Sequence, residues 1–262
     1  MTDLASGKLV LDEPAEGVTR LTIRNPERRG ALDHELLDAL ADAARTLEAR
    51  CLVIRGTGSV FSAGYDLGNL QGRTFEESAE KLVAHPFHDA IEALEAYAYP
   101  VVAQLNGHTI GGGLELALTC DIRVAARGIK LGMPPAKLGL IYSHTGLRKF
   151  VEACGVANTA ELFYVGRNVD AERAERMGLV NHLVEVDELE RTVLAMAAEI
   201  ASNAPLSLAG NKRVLRALRA QPLPEDVSRE LIELRESCFR TEDFREGVNA
   251  FAEKRRPRWQ GR

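Results

Sequence analysis

Apolar and polar positions alternate along the first stretch of the chain. Lys8–Leu11 and Val18–Ile23 flank a turn-like Glu-Pro-Ala-Glu-Gly, and this period of two predicts a β-hairpin. Asn25-Pro26 interrupts the run. From His34 to Ala49 the period changes, with Leu36, Leu37, Leu40, Ala43, Ala44 and Leu47 recurring on one helical face and Asp33 at the N-cap. Cys51–Arg55, Val101–Leu105 and Ile122–Ala126 are short apolar runs that read as buried strands. Between the first two lies a glycine-bearing loop from Gly56 to Leu70. A helix opened by the capping-box pattern Thr74–Glu77 follows, broken or kinked at Pro86 ahead of His88–Tyr97. Strands and helices alternating at crossover spacing predict a parallel sheet covered by helices.

After Phe150 the pattern turns helical, over 157–165, 170–178, 187–202 and 205–220, with Val180–Val184 as one further strand. No Pro-, Ser- or Gly-rich linker separates the two characters. The expectation is therefore an α/β core over 1–200 and a helical C-terminal region over 201–262. A length of 262 residues alone allows one domain or two.

Composition narrows the function classes. Thirty-three Lys and Arg against 38 Asp and Glu leave a net charge of −5, which speaks against a dedicated nucleic-acid binder. An aromatic content of 5% leaves little for base-stacking platforms. No apolar run reaches the about 18 residues of a membrane span. The opening is acidic where a signal peptide needs basic charge and an apolar core. Cysteines 51, 120, 154 and 238 form no paired motif, so neither a metal site nor a disulfide framework is expected, and a reducing, cytoplasmic setting fits.

Of the 22 glycines, two clusters carry chemistry. Gly64 sits in the loop Phe61–Leu67 between a strand and a helix. Gly111, Gly112 and Gly113 lead straight from a strand into the helix Leu114–Cys120, exposing consecutive N–H groups at its start. Two such sites converging on one oxygen make an oxyanion hole. Glu115, on the first turn, overhangs the same point. Each element has a plainer reading: a tight turn for the glycines, and a complement to the helix dipole for Glu115. Neither loop matches a phosphate-binding or dinucleotide fingerprint.

The pair of segments, strand–SAGxDL–helix and strand–NGxxxGGGxEL–helix, resembles the crotonase family, also called the enoyl-CoA hydratase/isomerase superfamily. The resemblance runs from the Asn25–Asp33 turn through MGLVNHLV at 177–184 to FAEKRRPRW at 251–259. It implies an α/β fold, a crotonase-like spiral of β-β-α units with a helical C-terminal trimerisation region, assembled as trimers or dimers of trimers. It implies an acyl-CoA thioester as substrate and no separate cofactor. By the same resemblance, the backbone N–H groups of Tyr65 and Gly112 form the oxyanion hole. Ala63, Gly64, Asp66 and Leu67 line the CoA path, and Arg28 or Arg29 meets CoA phosphates. Phe251 and Lys254 match positions that reach CoA, in many members from a neighbouring subunit.

Hydratases of this family use two glutamates on one water. Glu115 matches the first, but Pro135 stands where a PExxxG segment would supply the second. The stretch Met133–Tyr142 is similar to a branch of the family that decarboxylates methylmalonyl-CoA, lacks the second glutamate and carries a tyrosine at the place of Tyr142. Segments 178–190 and 241–257 share that similarity, whereas 111–121 resembles ordinary hydratases. The resemblance thus implies decarboxylation of methylmalonyl-CoA or a related malonyl-type thioester, with Tyr142 holding the carboxylate. The alternatives are a hydratase or isomerase working with Glu115 alone, and a non-catalytic acyl-CoA-binding scaffold. Tyr142 also reads as a packing residue, His144 as a loop or capping residue, and His108 as a supporting residue at most. Glu115, His144 and water are the candidate proton donors to an enolate. The cations at 254–258 read as a solvated end or as partners for CoA phosphates.

Overall fold

The hairpin forms as the alternation dictates: β2 (Leu9–Ala15) pairs antiparallel with β3 (Val18–Ile23), and β1 (Thr2–Leu4) adds an outer edge. The computed structural model describes residues 1–66, 86–219 and 225–262 without 259 and 261. The expected helix at Thr74–Glu77 and the CoA-path residue Leu67 lie outside those residues.

Beyond the hairpin every neighbour in the large sheet is parallel. β4 (Cys51–Gly56), β6 (Val101–Leu105), β8 (Ile122–Ala126) and β11 (His182–Val184) follow β3 in the seven-stranded order β1-β2-β3-β4-β6-β8-β11. The three apolar runs read from sequence are these central strands, buried on both faces as covered parallel strands must be. A second, four-stranded sheet runs β10-β9-β7-β5, from β5 (Val60–Ser62), β7 (His108–Ile110), β9 (Lys130–Gly132) and β10 (Val169–Asp170). β4, β6 and β8 are each followed by a short strand in the other sheet, β5, β7 and β9, which is the spiral of β-β-α units. The segment at 60–62, expected as loop, is a strand; three residues are too few to show a period.

Helix α1 (His34–Thr46) starts as expected, with Asp33 Oδ1 accepting from the Leu36 N–H at 3.0 Å. It stops short of Ala49 because Leu47 turns extended. α1 packs on α2 (Pro86–Ala96), joining Leu36, Leu37 and Leu40 to Phe87, Ile91 and Leu94 in one core. α3 (Gly112–Thr119) is buried along its whole length. α4 (His144–Ala160) begins well before the helix expected at 157. Ser143 caps it, accepting from the Gly146 N–H at 3.1 Å, and Gly155 breaks it at φ +74°. α5 (Ala171–Met177) and α6 (Leu189–Ser202) complete the core, and α7 (Pro205–Arg219), α8 (Glu225–Phe239) and α9 (Glu242–Ala252) form the helical C-terminal region. Among the described residues no single helix is long and apolar enough to cross a membrane.

Candidate active site

The site begins at the end of β5. Gly64 takes φ +90°, a backbone region that side chains disfavour. Ser62 Oγ accepts from the Gly64 N–H at 3.1 Å and donates to the Gly30 carbonyl at 2.8 Å, which fixes the turn. Leu32 donates to the Gly64 carbonyl at 2.8 Å and accepts from the Asp66 N–H at 3.1 Å. This parallel bridge grips the peptides on either side of Tyr65, so the N–H of Tyr65 itself points to the opposite side of the strand.

The three glycines at the start of α3 have separate reasons. Gly111 is the N-cap at φ +57°. A Cβ at Gly113 would lie 2.6 Å from Ser62 Cβ, and one at Gly112 would lie 3.2 Å from the Tyr65 ring. A Cβ at Gly64 would lie 3.0 Å from the Gly112 nitrogen. The two loops therefore close on each other only because both are glycine at the point of contact. The first residues of α3 carry N–H groups for which the helix has no acceptor. Close packing of the two loops is what brings Gly64 beside the Gly112 N–H.

Glu115, 4% exposed, follows on the first turn of α3, and the Tyr142 hydroxyl donates to its Oε2. Burial, then the Glu115 charge, push the Tyr142 phenol well above its ordinary pKa. The Tyr142 ring meets Phe163 edge-on at 5.5 Å between centroids. Tyr142 thus sits as the packing reading expects, its ring held by Phe163 and its hydroxyl satisfied by Glu115. Pro135 opens a short 3₁₀ turn, Pro135–Leu138, and brings no ionisable group.

A cavity of about 150 Å³ lies over these groups, lined by Tyr65, Glu115 and Tyr142 together with Phe87 and Ile91 of α2 and Leu140. Three residues important to it were not legible in the sequence. Gly146 makes room for Tyr142 and Glu115: its Cβ would lie 2.6 Å from Tyr142 Cε1 and 2.7 Å from Glu115 Oε1. Lys149 and Glu95, which form an ion pair, sit in the cavity wall. An exposed-looking lysine on an amphipathic helix gives no sequence signal of this kind.

The remaining expected residues fall in different places. Arg28 donates to Asp66 at 2.9 Å beside the Tyr65 loop, with its own side chain half exposed. Arg29 takes φ +52° and holds the loop through its carbonyl, which accepts from the Ala63 N–H at 3.1 Å; Ala63 itself is exposed. Phe251, 65% exposed, and Lys254, also exposed, line neither this cavity nor the larger one behind it. In the basic tail Arg255 pairs with Glu246 and Glu253, each at 2.5 Å. His144 is not among the lining residues; its Nε2 faces Ser228 Oγ of α8 at 3.4 Å, which fits the helix-start reading. His108 accepts from the Lys130 N–H at 3.0 Å and so serves the β7–β9 edge.

Comparison with known proteins gives the same direction. The sequence signature described as enoyl-CoA hydratase/isomerase matches residues 13–262. The methylmalonyl-CoA decarboxylase of Escherichia coli is 33% identical over 230 residues, covering 87% of each chain. A putative enoyl-CoA hydratase of Thermus thermophilus is 36% identical over 244 residues, covering 90% of this chain and 95% of its own. A solved structure of methylmalonyl-CoA decarboxylase in complex with 2-nitronate-propionyl-CoA superposes with a TM-score of 0.88 at 28% identity, covering 97% of this chain and 99% of that one.

Proposed function

This chain belongs to the enoyl-CoA hydratase/isomerase family, the crotonases, as an acyl-CoA enzyme; within that family we propose that it decarboxylates methylmalonyl-CoA or a related malonyl-type thioester. The observation that carries the reading is the buried Tyr142 hydroxyl joined to Glu115 in the wall of one cavity; the resemblance adds that Pro135 stands where a hydratase would carry its second acid. Similarity to proteins named methylmalonyl-CoA decarboxylase supports it.

The thioester oxygen accepts from the N–H groups of Tyr65 and Gly112. As the bond from the α-carbon to the carboxylate breaks, its electron pair moves into the thioester, and the enolate oxygen gathers charge where those donors point. No base is needed to start. Tyr142 turns its hydroxyl from Glu115 to the substrate carboxylate and holds it with the breaking bond perpendicular to the thioester plane. Its raised pKa keeps the phenol protonated, hence a donor, at neutral pH. Glu115, negative beside the bound carboxylate, favours loss of neutral CO2. A proton then adds to the α-carbon and gives the shorter acyl-CoA. Ala63, Gly64 and Asp66 line the CoA path, and Arg28 or Arg29 meets its phosphates. Product analysis with methylmalonyl-CoA is the test, and intact substrate after incubation would sink the reading.

The hydratase reading keeps one observation in its favour: Glu95 lines the same cavity as Glu115. Lys149 engages that carboxylate, however, which weakens it as a base.

The helical region 201–262 serves assembly in this reading. α7 presents Leu206, Val214, Leu215 and Leu218 to solvent in the single chain, an apolar set that a homotrimer or dimer of trimers would cover. Phe251 and Lys254 then reach the CoA of a neighbouring subunit. Light scattering should give three or six times the chain mass; a monomer at micromolar concentration would contradict this.

A further inference from the structure

Two cavities meet at one ion pair. Behind the catalytic cavity lies a second of about 620 Å³, and Glu95, Thr145 and Lys149 belong to the walls of both. Lys149 projects from α4 one turn beyond Thr145 and Gly146, on the same face of the helix. Gly146 is the residue against which Glu115 and Tyr142 rest, so Lys149 stands one turn deeper than the catalytic pair. Glu95 comes to meet it from the last turn of α2. Lys149 is 8% exposed and Glu95 partly buried, so separating the pair leaves a buried, uncompensated ammonium.

The recess beyond is cationic. Arg148 and Arg219 share Glu152 at 2.9 and 2.6 Å, and Lys212 takes Asp121 at 2.9 Å. Arg123 spends its guanidinium on the carbonyls of Leu179 and Cys120, at 2.8 Å each. Arg216 adds further positive charge to the lining. Burial and then Arg219 push the Lys149 ammonium down to about 8, and the nearby Glu152 charge opposes that shift.

We propose that the Glu95–Lys149 ion pair is the floor of the acyl cavity: it restricts the site to short acyl groups, and its removal opens the way into the cationic recess. That recess then accepts longer acyl chains, and prefers those ending in a carboxylate. With the thioester oxygen at the Tyr65 and Gly112 N–H groups and the α-carbon beside Tyr142 and Glu115, a lengthening chain meets the pair next. The inference rests on the acyl-CoA reading of the site and not on decarboxylation.

The experiment measures equilibrium binding of unreactive CoA thioethers carrying propyl, octyl and 7-carboxyheptyl groups. Because no turnover is read, a failed decarboxylation assay leaves the result intact, and the reverse also holds. Wild-type protein should bind the propyl thioether about tenfold or more tightly than the octyl one, as expected when added methylenes have no room. The near-isosteric Glu95→Gln/Lys149→Met variant should keep that ranking, since the bulk of the floor remains. Glu95→Ala/Lys149→Ala should bind octyl within about threefold of propyl, and the carboxylated chain more tightly than octyl. Should that variant not fold, Glu95→Ser/Lys149→Met opens the carboxylate side alone and is read in the same way. Equal affinity of the wild type for propyl and octyl, or a folded opened variant that keeps the wild-type ranking, overturns the proposal. A preference of the opened variant for octyl over its carboxylated form overturns the recess.

Discussion

Tyr142→Phe should lower decarboxylation of methylmalonyl-CoA by about 10²–10³-fold, the usual effect of removing one hydrogen-bond donor aimed at a reacting group. The ring would keep its contacts with Phe163, so the cavity keeps its shape and only the hydroxyl is lost. Affinity for the product-like propionyl-CoA, which has no carboxylate to hold, should stay within about threefold, an affinity difference of under 1 kcal/mol. The variant also leaves Glu115 without the Tyr142 donor, at a stability cost of about 1–3 kcal/mol. Steady-state kinetics on the folded variant check this. A decarboxylation rate equal to wild type would remove Tyr142 from its role and leave it as a packing residue.

Gly146→Ala is the second large effect. At most helix positions alanine is favoured over glycine by roughly 1 kcal/mol. Here the added methyl would stand 2.6 Å from Tyr142 Cε1 and 2.7 Å from Glu115 Oε1, and both side chains are buried. Neither can retreat far: Tyr142 backs onto Phe163, and Glu115 is fixed on the first turn of a helix that is buried throughout. The pair must shift by a large fraction of an ångström, and misplacement by about 1 Å commonly costs about 10²-fold in rate. A kcat reduced by about that factor, with helix content unchanged by circular dichroism, is the expected outcome. Wild-type turnover would show that the Glu115–Tyr142 geometry is not what catalysis depends on.

Elements long enough to show a period were legible from sequence. The runs at 51–55, 101–105 and 122–126 are central strands because residues covered on both faces must be apolar throughout. Gly64 and Gly111–Gly113 were legible for a related reason, since glycine alone tolerates their backbone angles and their mutual approach. What escaped were features shorter than a period or made only in three dimensions. The strands of the small sheet are two or three residues each. Gly146 reads as an ordinary turn residue until Glu115 and Tyr142 are placed against it. Glu95 and Lys149 lie 54 positions apart, and nothing in either neighbourhood announces the other. The partners of Arg255 escaped in the same way, since Glu246 and Glu253 reach it only in the fold.

The central claim is that this crotonase cleaves a carbon–carbon bond and does not add water. The direct measurement offers purified protein carboxyl-labelled methylmalonyl-CoA and, separately, crotonyl-CoA, and follows products by mass spectrometry. The account predicts propionyl-CoA and labelled CO2 in equal amounts from the first. Methylmalonyl-CoA recovered intact, with 3-hydroxybutyryl-CoA formed from the second, would contradict it.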